Sequence, residues 1–122
     1  PWPNQGRVRY RYGQVKAADM RWKGVVLRGN TGDPVHTIYQ GQVVFTDWVK
    51  GFGLVIAIDH GHGYMSIYGH NHSLLKRVGE KVEAGEPISL VGQSGGQSEA
   101  SLYFEIRHKG RALNPEQWCR AS

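Results

Sequence analysis

Three runs of β-branched and aromatic residues, separated by glycine-containing turns, constrain the fold of this chain more than any other feature. The runs are Gln42–Val49, Leu54–Asp59 and Tyr64–Tyr68. Gly51-Phe-Gly53 joins the first two runs, and His60-Gly-His-Gly63 joins the last two. Turns this short between strand-forming runs are typical of β-hairpins. The segment therefore predicts three consecutive antiparallel strands.

The rest of the sequence predicts more short strands and very little helix. Further strands are expected at Arg7–Tyr12, Gly24–Leu27, Val35–Ile38, Pro87–Val91 and Leu102–Arg107. Helical signals are limited to a turn near Ser73–Leu75 and another after Pro115, where Asn114-Pro resembles a helix start. With 17 glycines in 122 residues, many short strands favour an all-β antiparallel sandwich or a partly open barrel. We expect a single domain over residues 1–122, with residues 1–6 as a flexible lead-in.

The formal charge of +5 at pH 7 favours anionic partners. Nucleic acid, an anionic cell-wall polymer and an acidic protein segment would all fit that charge. The basic residues are dispersed and accompany no nucleic-acid-binding motif, so a nucleic acid partner is not expected. The sequence has no apolar run of about 18 residues, so no membrane span is expected. Cys119 is the single cysteine, which excludes an internal disulfide and a cysteine-based zinc cluster.

The segment Ser101-Leu-Tyr-Phe-Glu-Ile-Arg107 carries the most specific signal for function. It resembles the His-x-His-Phe-Glu-x-Arg strand of the LytM, or lysostaphin-like, family of cell-wall endopeptidases. In that family the two histidines supply a general base and a zinc ligand, whereas this chain has Ser101 and Tyr103. Zinc prefers imidazole, thiolate or carboxylate donors, so neither replacement is a usual ligand.

The upstream metal motif of the family is replaced in the same way. Family members with a zinc site carry His-x-Gly-x-Asp, and this chain has Trp22-Lys-Gly-Val-Val26. Trp22 stands at the position of the first ligand and Val26 at that of the aspartate. His70 is the one active-site histidine of the family pattern that remains, and a catalytic zinc site needs three protein ligands. We therefore expect no catalytic residue, no metal, no cofactor and no enzymatic activity.

The resemblance runs from about residue 20 to residue 118 and implies a regulatory function. The pattern of replacements is similar to that of degenerate family members of the Gram-negative periplasm that switch on zinc-dependent N-acetylmuramoyl-L-alanine amidases in cell division. Such proteins also contain a coiled coil that contacts the FtsE–FtsX complex, and that part is absent from this chain. Peptidoglycan is a further possible partner, and we expect a monomer.

The family groove holds an extended peptide, and the replacements make its floor apolar and aromatic. Lys23 and Arg107 are expected to flank that floor as exposed charges whose reversal leaves the fold intact. Such a groove suits the acidic, amphipathic autoinhibitory helix of an amidase. The residues predicted to bind the partner are Trp22, Lys23, Val26, Phe52, His70, Ser101, Tyr103 and Arg107. Two other functions stay open: a non-catalytic peptidoglycan-binding module, and a peptidase with unorthodox metal ligands.

Overall fold

The structure, a computed structural model, describes residues 1–119. It consists of antiparallel strands and one short 3₁₀ turn at Pro115–Gln117. The strands are β1 (Val8–Tyr10), β2 (Val15–Ala17), β3 (Met20–Arg21), β4 (Val25–Arg28), β5 (Pro34–His36), β6 (Gly41–Val49), β7 (Gly53–Gly61), β8 (Tyr64–Leu74), β9 (Lys81–Val82), β10 (Pro87–Val91), β11 (Ser101–His108) and β12 (Arg111–Leu113). The predicted helical turn after Pro115 is confirmed as this 3₁₀ turn.

The three predicted central strands are confirmed as the meander β6–β7–β8. Strands β6 and β7 pair up to Val49 opposite Gly53, at the predicted glycine-flanked turn. Strands β7 and β8 pair up to Gly61 opposite Tyr64. The two residues between them, His62 and Gly63, have φ angles of +54° and +82°. Positive φ at both central positions matches the twist that a tight hairpin requires.

Ten strands form one open antiparallel sheet, which confirms the predicted all-β antiparallel fold. Its main path runs β1-β4-β11-β8-β7-β6-β9, with β12 beside β11 and β10 between β5 and β8. Edge strand β9 covers only Gly41 and Gln42 of β6. From residue 44 to residue 49, none of the described strands lies on the outer side of β6. There the Asp47 carboxylate accepts the Trp48 N–H at 2.7 Å.

Alternation along the strands gives the sheet one core face and one face that carries the candidate site. On β11, Leu102, Phe104 and Ile106 belong to the hydrophobic core. The intervening residues of β11 point to the opposite face. Strand β4 shows the same division, because Val25 and Leu27 belong to the core whereas Val26, although buried, does not.

Two local predictions were wrong. Residues 1–6 do not form a free lead-in, because Pro3 is buried and its carbonyl accepts the His36 N–H at 2.8 Å. The Trp2 ring lies 6.4 Å from the Phe104 ring and packs against the core. The segment near Ser73–Leu75 is not helical, because β8 continues to Leu74 and pairs with β10.

The hairpin β2–β3 was not predicted and stands apart from the main sheet. All five residues of its two strands are exposed. Two backbone hydrogen bonds extend it to Trp22: Gly13 N donates to Trp22 O at 2.8 Å, and Trp22 N donates to Gln14 O at 2.9 Å. The hairpin thereby fixes Trp22 beside the main sheet.

Candidate functional site

Three alternate residues of β11 form a hydrogen-bonded row on the face opposite the core. The Tyr103 hydroxyl donates to Glu105 Oε2 at 2.5 Å, and Arg107 Nε donates to Glu105 Oε1 at 2.7 Å. Glu105 is only 4% exposed. Burial and the neighbouring carboxylate raise the pKa of Tyr103, so its hydroxyl stays protonated and remains a donor. Both oxygens of the buried carboxylate are thus satisfied.

The charge of Arg107 is paired, which corrects the expectation that reversing it leaves the fold intact. Its hydrogen bond to Glu105 raises the pKa of the guanidinium. The two residues form a salt bridge in which the side chain of Glu105, taken without its backbone, is 6% exposed and that of Arg107 is 36% exposed. Charge reversal at Arg107 would place a second carboxylate beside a buried one, so it cannot leave the fold unaffected.

An aromatic cluster is centred on Tyr103. The ring centroid of Tyr103 lies 4.8 Å from that of Phe52, 6.1 Å from that of Trp22 and 6.2 Å from that of His70. Tyr10 stacks on the outer side of Trp22 at 5.0 Å, with 13° between the ring planes. We call these five residues the aromatic cluster. The rings of Tyr10, Trp22, Phe52 and Tyr103 lie at centroid separations typical of favourable aromatic pairs.

His70 is held in this cluster by its backbone and by its ring. Its φ angle is +63°, which is uncommon for a residue with a side chain. This conformation brings the His70 N–H to the Phe52 carbonyl at 2.6 Å. Nδ1 lies 2.8 Å from the carbonyl oxygen of Ser94, so Nδ1 carries the proton and donates. Burial lowers the pKa of the ring, and the charge of Lys16 lowers it further.

Four of the predicted partner-binding residues are buried: Val26, His70, Ser101 and Tyr103. Val26 is 2% exposed and faces Tyr103 across the β4–β11 pair. Ser101 is 1% exposed, and its Oγ has no hydrogen-bond partner among the described residues. Tyr103 and His70, which belong to the aromatic cluster, are each 2% exposed. Exposed and half-buried surface comes instead from Trp22, Lys23, Phe52 and Arg107.

No set of side chains at this site is arranged as a metal centre. Within residues 1–119, no group of three or more histidine, cysteine, aspartate or glutamate side chains is placed to hold a metal ion. His70 is surrounded by aromatic rings, and the nearby Glu105 is fully engaged by Tyr103 and Arg107.

Two cavities meet at the aromatic cluster and together form a groove. Phe52, Tyr103, Glu105 and Arg107 line both of them. The first, here called the basic compartment, has a volume of about 270 Å³ and is also lined by Lys16, Met20, Arg21, Trp22 and Lys23. The second, the apolar compartment, has a volume of about 550 Å³ and is also lined by Val44, Phe45, Val49, Val55, Ala57, Met65 and Ile67.

Sequence reasoning missed the apolar compartment and the hairpin lysine. Val44 and Phe45 are each 40% exposed, yet they lie in a strand with apolar residues on both faces, so alternation did not distinguish them. Lys16 Nζ lies 4.7 Å above the Trp22 ring and 5.8 Å from the Phe52 ring. Its position could have been inferred only by predicting the exposed hairpin β2–β3.

The four histidines between residues 60 and 72 do not form a cluster. His60 is half-buried, with Nδ1 2.8 Å from the Gln40 carbonyl oxygen and Nε2 2.7 Å from Ser66 Oγ. His62 and His72 are exposed.

The described residues contain no helix with the length and apolar character of a membrane span.

Comparison with known proteins gives consistent matches over most of the chain. Residues 20–115 match peptidase family M23. The chain is 50% identical over 117 residues to the murein hydrolase activator EnvC of Escherichia coli K12, covering 96% of this chain and 28% of EnvC. It is 36% identical over 115 residues to the murein hydrolase activator NlpD of the same organism, covering 93% of this chain and 29% of NlpD. The chain thus spans less than a third of the length of either relative.

The fold is also similar to that of an antimicrobial peptidase. The catalytic domain of lysostaphin from Staphylococcus simulans aligns with a TM-score of 0.85 and 26% identity, covering 96% of this chain and 94% of that domain. The match to EnvC confirms a resemblance that the sequence carries in Gly53-Leu-Val, Ser94-Gly-Gly-Gln97 and Asn114-Pro-x-x-Trp118. Because the family match covers most of the chain and the fold agrees with it, this chain belongs to peptidase family M23, the LytM or lysostaphin-like family.

Proposed function

We propose that this domain is a non-catalytic activator of zinc-dependent N-acetylmuramoyl-L-alanine amidases in the periplasm of a Gram-negative bacterium. The observation that carries the proposal is the aromatic cluster, in which the ring centroids of Trp22 and Tyr103 lie 6.1 Å apart; the sequence resemblance assigns both of these positions to metal ligands. The names of the relatives EnvC and NlpD, both murein hydrolase activators, support an activating role.

A domain with these side chains has no route to the chemistry of its family. The indole of Trp22 and the alkyl group of Val26 offer zinc no donor, and the hydroxyl of Tyr103 is engaged by a buried carboxylate. The domain would therefore act by binding a protein that carries the zinc itself.

The groove fits the autoinhibitory helix of an amidase by shape and by charge. An amphipathic helix would place its apolar face in the apolar compartment, where Val44 and Phe45 already expose apolar surface. Its acidic side chains would face the basic compartment, where Lys23 is exposed. Capture of the helix would uncover the amidase zinc.

The effect on the amidase follows from differential affinity. A helix bound in the groove can no longer cover the amidase site. The open state of the amidase is therefore favoured by the free energy of helix binding to the groove, which is available only when the helix has left the amidase site. A difference of about 3 kcal/mol changes the ratio of open to closed amidase by about a hundredfold.

The test is a dye-release assay of cell-wall hydrolysis with the domain and the purified amidases of the source bacterium, tested separately and together. We expect hydrolysis to rise only in the combined reaction with a responsive amidase. Phe45→Ala should weaken the stimulation because Phe45 lines the apolar compartment. Trp48→Ala is the matched control, because Trp48 is 57% exposed on the same strand but lines neither compartment.

Two results would contradict the proposal and identify the other candidates. Chelator-sensitive hydrolysis by the domain alone would indicate a peptidase. Sedimentation of the domain with purified cell wall, without stimulation of any amidase, would indicate a peptidoglycan-binding module.

A further inference from the structure

The hairpin β2–β3 holds a lysine over the aromatic cluster, and the core of the fold does not account for this placement. Every residue of the hairpin strands is exposed, so the hairpin buries no apolar face of its own. Lys16 nevertheless reaches back to lie 4.7 Å above the Trp22 ring and 5.8 Å from the Phe52 ring. An ammonium at these distances is attracted by the negative face of each ring.

Lys16 forms no salt bridge with a described residue, whereas Arg107, another cation of the groove, is paired with Glu105. Arg107 donates to the buried Glu105, and each oxygen of that carboxylate already accepts one hydrogen bond. Among residues 1–119, no carboxylate lies within salt-bridge distance of Lys16. An ammonium has three N–H donors, and aromatic faces attract the charge without offering an oxygen acceptor. A carboxylate brought into the groove would supply that acceptor.

The position of Lys16 differs from that of Lys23, a second lysine of the groove that forms no salt bridge with a described residue. Phe52 lines both compartments, so an ammonium beside Phe52 lies close to the boundary between them. A helix in the apolar compartment would present its polar edge at this boundary. The negative faces of the Trp22 and Phe52 rings hold the Lys16 ammonium at this boundary. Lys23 lines the same basic compartment, but among the described residues no aromatic ring holds its ammonium as Trp22 and Phe52 hold that of Lys16.

We propose that Lys16 is a specificity-determining residue of the groove and that its ammonium binds a carboxylate on the docked amidase helix. The inference rests on the proposed function and deepens it. An amidase whose helix carries an acidic residue at this boundary is stimulated, whereas one with a neutral or basic residue there is discriminated against, because it leaves Lys16 unpaired beneath the docked helix.

The experiment measures the domain concentration that gives half-maximal stimulation of the responsive amidase, over a series of salt concentrations. Lys16→Met keeps a long unbranched side chain over Trp22 and removes the charge, whereas Lys16→Arg keeps the charge. The matched control is Lys81→Met, because Lys81 is an exposed lysine on β9 that lines neither compartment. Thermal melting of each variant reports whether the fold is retained.

We expect Lys16→Met to raise the half-maximal concentration about tenfold at low salt and to flatten its dependence on salt. Lys16→Arg and Lys81→Met should remain within about threefold of the parent, and all three variants should melt as the parent does. If the parent stimulates and Lys16→Met matches Lys81→Met at every salt concentration, the inference is overturned while the proposed function stands. A lower melting temperature with an unchanged salt dependence would assign Lys16 a structural role and overturn it too. If the parent stimulates none of the amidases, both proposals fail.

Discussion

Replacement of Arg107 by methionine should destabilise the free domain, although Arg107 lies at the rim of the groove. Its Nε donates to Glu105 Oε1 at 2.7 Å, and Glu105 is 4% exposed. Methionine keeps much of the volume of the side chain but removes the donor and the charge. A buried carboxylate then retains the Tyr103 hydroxyl as its one hydrogen-bond donor among the described side chains.

The magnitude follows from the geometry of the pair. A hydrogen bond between charged groups contributes about 1.5 to 3 kcal/mol, and removing one partner from a fully buried ion pair costs about 3 to 5 kcal/mol. The Arg107 side chain is 36% exposed, so water can partly replace the guanidinium and the cost lies toward the lower range. We expect a loss of about 2 kcal/mol, which lowers the melting temperature of a domain of this size by about 8 °C.

The assay is thermal unfolding followed by circular dichroism, together with urea unfolding at 25 °C. Lys23→Met is the matched control, because Lys23 is exposed and lacks an ion pair with any described residue, and it should change stability by at most about 0.5 kcal/mol. A double-mutant cycle with Glu105→Gln isolates the pair. In the Glu105→Gln background, Arg107→Met should cost about 1 kcal/mol less, because no buried charge is left unpaired.

Two results would refute this reasoning. The Glu105–Arg107 pair would not stabilise the fold if Arg107→Met melted within about 2 °C of Lys23→Met. A cost that was identical with and without the Glu105 charge would show that the effect comes from packing of the arginine stem.

Three further predictions concern residues outside the groove surface. Burial lowers the pKa of His60, so the unfolded chain, with a histidine pKa of about 6.5, binds the proton first; stability should fall as the pH drops below that value, and His60→Gln should reduce the difference between urea unfolding at pH 7.5 and at pH 5. Burial raises the pKa of the Cys119 thiol to about 11, so the native domain at pH 8 should react with a thiol reagent far more slowly than the urea-unfolded chain, and equal rates would contradict this placement. Gly24→Ala would put a Cβ atom 2.3 Å from the Phe104 carbonyl oxygen, so the variant should melt well below the parent or fail to fold, and a parental melting temperature would show that this close approach is not required.

The sequence predicted those parts of the fold in which burial dictates the pattern of side chains. Strands β7 and β8 were predictable because their apolar runs end at glycine turns, and the structure confirms both. The hairpin β2–β3 was not, since its strands Val15–Ala17 and Met20–Arg21 are wholly exposed and no periodicity marks them. Trp2 was missed for a related reason: a single aromatic residue near the beginning of a sequence carries no periodicity, and only its contact with Phe104 shows that it packs.

The candidate site was predictable by position but not by contact. Alternation along β11 places Tyr103, Glu105 and Arg107 on one face, yet it does not show that Glu105 uses one oxygen for each of the other two. That arrangement depends on burial, which decides whether a carboxylate must be satisfied by its neighbours or by water. Phe52 is a similar case. The predicted turn places it at the tip of a hairpin but does not reveal its contacts with Tyr103 and His70.

The free outer edge of β6 bears on how the domain behaves when it is concentrated. An unpaired strand edge flanked by exposed Val44, Phe45 and Trp48 is the kind of surface on which two copies of a protein add strand to strand and aggregate. Here the carboxylate of Asp47 already accepts a hydrogen bond from the Trp48 N–H and places a negative charge at that edge. An incoming strand would have to displace and desolvate this carboxylate before it could pair, which opposes edge-to-edge association. The domain can therefore keep an apolar groove available to a partner without offering the adjoining strand edge to copies of itself.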